Sequence, residues 1–270
     1  MVEIREESST RNDEAGGSGD RPGTSSSSAN PPPQTGGTTL SEFVKTRTMD
    51  CVLLATRFFT LFFAFSFLLP GNNSADTYYY KALAAGAATN ALRLQQRLGA
   101  VSFTREFLAN LMLEDSCHYL FYCVLFLTCG PVTMSLLPIS LYAALHAANF
   151  IVTVFHATGR GSSPIAVKLQ GLCASQTQNC LGIIACAEIF LVPLLVSLIL
   201  VGKASLFVPF VYYRFLTLRY ASRRNPYTRQ AFYQMRCSLQ QISYSPSCPG
   251  FAASAINRAV NFISGLAPAV

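Results

Sequence analysis

The sequence predicts an all-α, multi-pass helical membrane protein with short hairpin-like membrane segments and amphipathic helices near its C-terminus. Three observations carry this. Of 270 residues, 51% are hydrophobic and only 12% are charged, against about a quarter charged in soluble domains. The apolar residues are bunched into runs rather than spread with a soluble period. The net charge of +7 is also uneven: residues 1–50 carry −3, residues 51–188 carry +2, and residues 189–270 carry +8. The last carboxylate side chain is Glu188.

Residues 1–40 form a low-complexity tail, with Ser25 to Ser28 and Pro31 to Pro33 in unbroken runs. Such a stretch buries too little apolar surface to offset chain entropy, so disorder is expected. No apolar core follows a basic start, so it does not read as a signal peptide. Cys51 to Leu69 is the first membrane segment, 19 residues with one charge, Arg57. About 20 apolar residues span a bilayer. Arg57 lies close enough to the segment's start to snorkel to the headgroups, and Lys45 and Arg47 mark that end as cytosolic.

Residues 76–98 are helical in composition and rich in small residues, and 104–129 form a further helix pattern ended by Gly130 and Pro131. An uncharged run follows from Val132 to Phe155, with Pro138 as the expected kink. Arg160 to Pro164 is a loop. Residues 181–201 are the next clear membrane segment, with Glu188 and Pro193 inside it, and 205–218 is apolar but short.

Two topologies compete. Three spans (51–69, one within 119–155, and 181–201) put the termini on opposite sides. Six inserted segments (51–69, 76–96, 106–129, 132–155, 181–201 and 205–218) put both in the cytosol. The second leaves only Lys81 and Lys203 in luminal turns, so the positive-inside bias favours it. Short segments such as Tyr119 to Cys129 would then enter as wedges or thin the bilayer. The sequon Asn72-Asn73-Ser74 lies too near a membrane end to be modified.

Residues 41–224 are thus a multi-helix membrane domain, and 225–270 a basic cytosolic region of amphipathic helices. Phe232, Met235, Leu239 and Ile242 recur at helical spacing over 226–243. In 250–266, Ala252, Ala255, Ala259, Phe262, Ile263 and Leu266 lie on one side, with Ser254, Asn257, Arg258 and Asn261 on the other. Arginine without carboxylate points to an anionic lipid surface. The expected headgroup contacts are Arg219, Arg223, Arg224, Arg229 and Arg236, with Phe232, Met235, Leu239 and Ile242 inserted beside them. The alternative is that these helices pack on the protein's own cytosolic face. Motifs that mark a nucleic-acid binder are absent, so no nucleic-acid partner is expected.

Glu114, Asp115 and His118 are the nearest thing to an active site. Glu114 and His118, four residues apart on one helix, could share a proton or a metal. Further ligands are missing, so interhelical pairing is the favoured reading. Glu188 lies inside an apolar span, where a carboxylate is a functional candidate by default; Arg57 or Arg214 would be its partner. An intramembrane enzyme or transporter would use Glu114, His118 and Glu188. The nine cysteines show no paired spacing; Cys237 and Cys248 are candidate palmitoylation sites. No catalytic residue, metal site or cofactor is assigned.

Several blocks together resemble the transmembrane protein 33 family, which takes in insect Krüppel homolog 2 and yeast pore-associated ER membrane relatives. They are Ala91-Leu92-Arg93-Leu94 with Gln96-Arg97-Leu98, Leu113 to Leu120, Pro131 to Ser135, and Tyr212 to Tyr220 continuing as Ser222 to Tyr227. The resemblance covers about residues 41–268. It implies a non-enzymatic, multi-pass protein of the endoplasmic reticulum (ER) and nuclear envelope. Its implied roles are organising tubular ER and scaffolding reticulon-type or nuclear pore partners. It also implies C-terminal amphipathic helices that bind curved membrane.

Overall fold

Apolar runs as long as those above must satisfy every backbone polar group internally, and the α-helix does so within one segment. The computed structural model describes residues 39–70, 74–99, 102, 104–202, 205–222 and 224–267. Residues 1–38, the two asparagines of the sequon, Lys203 and Arg223 lie outside them. The described residues fall in one unit, Gly36–Val270. Among them there are ten α-helices, one 3-10 turn and no strand.

The first helix, α1 (Leu40–Thr46), gives way at Arg47 to α2 (Thr48–Leu68). Then come α3 (Ala75–Leu98), α4 (Arg105–Leu113), α5 (Asp115–Leu127) and α6 (Leu136–Ala157). The chain continues through α7 (Pro164–Leu200), α8 (Phe207–Ala221), α9 (Tyr227–Ser243) and α10 (Gly250–Gly265). Three stretches are long and apolar enough to cross a membrane: Thr48–Leu68, Thr133–Ala157 and Pro164–Leu200.

Six helices alternate in direction. Thr89 of α3 bonds Thr56 of α2 at 2.9 Å, while Tyr79 packs on Phe67 with tilted rings. Arg97 meets Glu114 at one end of α3 and Tyr80 meets Cys129 at the other. Tyr119 lies on Phe215, and Phe126 on Tyr212. His156 faces Gln170 across the α6–α7 hairpin. The C-terminal ends of α2, α5 and α7 therefore gather with the N-terminal ends of α3, α6 and α8. The opposite end, called here the charged end, carries the close of α3 and α8 and the start of α5. These six helices bring the chain back to the end of the bundle where α2 begins.

The core between these helices is aromatic. Tyr79, Tyr122, Tyr212, Phe126 and Phe215 are fully buried. Tyr122 packs on Phe126 and Phe215 with ring centroids 4.6 and 5.0 Å apart. Each buried tyrosine needs a partner for its hydroxyl. Tyr122 donates to the Ser135 carbonyl at 2.8 Å, and Tyr79 shares a 2.8 Å bond with the Ser135 hydroxyl. At Gly86, an added Cβ would sit 3.4 Å from Cys123 Sγ and 3.6 Å from Ile139. A small residue there lets α3, α5 and α6 approach closely. Outward, Phe58, Phe59, Phe62, Phe65 and Leu68 of α2 are exposed, which suits a lipid-facing surface.

Several boundaries differ from expectation. The helix expected over 104–129 is broken at Glu114, whose backbone is extended (φ −86°, ψ 123°). Pro138 makes no interior kink, because it falls in the first turn of α6, where backbone N–H groups have no helical partner. The segment expected to begin at 181 begins at Pro164, capped by Ser163, whose hydroxyl accepts from the Ala166 N–H at 3.3 Å. At 37 residues, α7 is about 55 Å long, well beyond a hydrocarbon core of about 30 Å. By contrast α5, with 13 residues, reaches about 20 Å.

Candidate functional site: a buried charged network and an amphipathic surface

The buried face of α8 follows a helical period through Val208, Tyr212, Phe215, Leu216 and Arg219. That period carries a guanidinium into the interior. Arg219 and Glu188 are both fully buried, with Nε 3.1 Å from Oε1 and 3.3 Å from Oε2. The other two nitrogens of Arg219 are also engaged. Its Nη1 reaches Asp115 Oδ1 at 3.1 Å and its Nη2 the Tyr142 hydroxyl at 3.1 Å. Its guanidinium lies over the Tyr119 ring, 5.0 Å from the centroid. Glu188 also accepts from the hydroxyls of Tyr119 and Thr228. Asn225 donates to Tyr142 at 2.8 Å, and Ser222 to Asp115 at 3.0 Å.

This network ties α5, α6, α7, α8 and the start of α9 together. A buried charge pair persists only when its desolvation is offset by close geometry and further hydrogen bonds, and both conditions hold. Two expectations are corrected. The partner of Glu188 is Arg219, not Arg57 or Arg214. Arg219 is not a headgroup contact, because its donors are directed to Glu188, Asp115 and Tyr142 inside the bundle.

Around the rim, Glu114 accepts from Arg224 Nη1 at 2.7 Å on Oε1 and from Arg97 Nη1 at 3.0 Å on Oε2. The break between α4 and α5 places this carboxylate between the two arginines. His118 bonds the Met112 carbonyl through Nε2 at 2.7 Å, and its Nδ1 lies 3.7 Å from Asp115 Oδ1 without a hydrogen bond. Glu114 and His118 are thus not neighbours on one helix face: Glu114 caps α5 from outside, and its two oxygens are committed to arginines. Among the described residues, no three His, Cys, Asp or Glu side chains come together to hold a metal.

Arg57 is not at the headgroups. It is 2% exposed and its Nη1 lies 3.4 Å from the His146 carbonyl of α6. The His146 ring meets Arg93 at 2.9 Å and stacks on Tyr142, which links this cluster to Arg219.

The two C-terminal helices use their apolar faces differently. In α9, Phe232 and Met235 pack against Ala185, Ile189, Leu216 and Ala231, and Phe232 lies on Tyr220 with centroids 5.8 Å apart. Leu239 is half-buried, as is Arg229; Ile242, Arg224 and Arg236 are exposed. Half of the expected inserting set therefore docks on the bundle, as the own-face alternative held. In α10, Val260 is the buried residue. Ala255, Ala259, Phe262, Ile263 and Leu266, all from its apolar side, are exposed. Tyr233, Tyr244 and Phe251 add exposed aromatic surface that the spacing argument did not single out.

Sequence reasoning missed Asp115, Tyr142, Arg219, Asn225 and Thr228 as one cluster. Only Arg219 left a signal, its place in the buried period of α8.

A family model described as Transmembrane protein 33/Nucleoporin POM33 matches residues 32–269. The chain is 55% identical over 235 residues to a Transmembrane protein 33 homolog of Caenorhabditis elegans, covering 86% of each chain. It is 44% identical over 231 residues to human Transmembrane protein 33, covering 85% of this chain and 94% of that one. Against Krueppel homolog 2 of Drosophila melanogaster the identity is 38% over 229 residues, 85% of this chain and 82% of that one. No solved structure matches the chain. With its candidate spans, its aromatic helical core and relatives matched over most of their length, the chain belongs to the Transmembrane protein 33/Nucleoporin POM33 family of membrane proteins.

Proposed function

We propose that this protein is a non-enzymatic membrane protein of the ER and nuclear envelope. In this reading it organises tubular ER and scaffolds membrane partners, of reticulon type and at the nuclear pore. The charged end faces the cytosol, with α9 and α10 at the membrane surface. The observation that carries the reading is the outward apolar side of α10, next to a region without carboxylates. A basic surface with exposed Phe251, Phe262 and Ile263 suits the boundary between headgroups and acyl chains. The word nucleoporin in the family description supports the nuclear-envelope part.

The orientation follows from charge. Arg93, Arg97, Arg105, Arg160, Lys168, Arg219, Arg224 and Arg229 lie toward the charged end; the described residues of the other end hold Lys81. The short α5 and α8 stop at the buried network while α2, α6 and α7 continue past it. The body therefore has a different cross-section in each leaflet, which is a means of bending a bilayer.

The test uses the full chain in cells. Phe251, Phe262 and Ile263 are changed together to Ser. The reading expects correct membrane insertion, retained ER location and a loss of the effect on tubule morphology. Unchanged morphology, or a location outside the ER and nuclear envelope, would overturn it. Single cysteines engineered at residues 131 and 204 should resist a membrane-impermeant thiol reagent applied from the cytosolic side, and one at 162 should react; the reverse pattern contradicts the orientation.

A further inference from the structure

The rim of the charged network has donors left over. Arg97 and Arg224 each spend one hydrogen bond, both on Glu114. A guanidinium carries five N–H donors in a rigid fork, so each keeps most of its fork unused. Their side chains are 40% and 53% exposed, whereas the Glu114 side chain between them is 9% exposed. One buried carboxylate thus fixes two accessible guanidinium groups side by side, one on each oxygen. Paired guanidinium forks match the tetrahedral oxygens of a phosphate.

The neighbouring helix indicates where that phosphate comes from. No residue of α4 is buried, and its Leu108, Met112 and Leu113 are exposed immediately before Glu114. A soluble phosphate has no use for such apolar side chains, but the acyl chains of a phospholipid do. We propose that Arg97 and Arg224, oriented by Glu114, clamp the phosphate of an anionic phospholipid whose acyl chains lie along α4. The site rests on the reading above only in that the charged end lies at a headgroup layer. It is separate from the exposed face of α10.

The test is lipid retention by the full-length protein in nanodiscs of phosphatidylcholine with a minor fraction of phosphatidic acid, read by native mass spectrometry. Wild type should retain phosphatidic acid over phosphatidylcholine. Arg97→Lys/Arg224→Lys keeps the charge but loses the forks, and should lower retention about tenfold. Arg160→Lys, in the exposed turn between α6 and α7, should change nothing. Equal retention by the wild type and the double variant means diffuse attraction and overturns the clamp. Retention of both lipids alike also overturns it. Glycerol 3-phosphate added as competitor separates the sources: full displacement at millimolar concentration makes the ligand a free phosphate and overturns the lipid assignment. If the double variant is not monodisperse, Arg224→Lys alone, with its half-exposed side chain, should give a smaller loss of the same sign. The serine variant of α10 should retain lipid normally, so a failure of the membrane-shaping reading leaves this result intact.

Discussion

Helices α9 and α10 follow one another, are both amphipathic and carry arginine without carboxylate, yet they present opposite faces. In α9 the apolar stripe turns inward, with Phe232 and Met235 against α7 and α8. In α10 the apolar side turns outward, with Phe262 and Ile263 exposed. The difference lies in what each helix is tied to. The first turn of α9 is anchored by Thr228 to Glu188 and approached by the Asn225–Tyr142 bond. The contacts of α10 are lighter: Val260 buried, Ser243 on Asn257 and Tyr213 on the Leu266 carbonyl. Amphipathic spacing says that a helix has an apolar partner; anchoring decides whether that partner is protein or lipid.

The largest expected effect comes from removing the anchor of α9. Glu188→Gln leaves Arg219 charged in the interior and should cost about 3–5 kcal/mol, read as a lower thermal unfolding midpoint in detergent. The paired change Glu188→Leu with Arg219→Met should recover part of that loss, because no charge is left unpaired, while Tyr119 and Thr228 still lose their acceptor. A smaller contrast separates the two helices directly. Phe232→Ala, at a half-buried site, should cost about 2 kcal/mol of stability. Phe262→Ala should stay within about 0.5 kcal/mol in detergent while weakening liposome flotation. The smallest effect is electrostatic. Arg258→Gln on α10 should weaken binding to anionic vesicles by about 1 kcal/mol, and added salt should erase the difference.

The parts read well from sequence are those with uninterrupted apolar runs. Segments 51–69 and 132–155 were expected within a few residues of α2 and α6, because a bilayer demands length and hydropathy that a linear window detects. The N-terminal part of α7 was missed because Gln170, Ser175, Gln176 and Asn179 dilute its apolar character while α6 supports it across the hairpin. The break at Glu114 carries no Gly or Pro. It is held open by Arg97 and Arg224, 17 and 110 residues away in sequence. Arg219 was misread for a related reason. It stands in a basic run that looks like surface, and its partners Glu188 and Asp115 lie 31 and 104 residues away. A charge's environment is a tertiary property; only the helical period of α8 hinted at it.

The most direct measurement places a fluorophore at position 232 or 262, one at a time, in the full-length protein, and quenches it with spin-labelled phospholipid in reconstituted vesicles. The proposal that the exposed side of α10 meets lipid predicts strong quenching at 262 and little at 232, where α9 packs against α7 and α8. Equal quenching at both positions, or the reverse order, would contradict it.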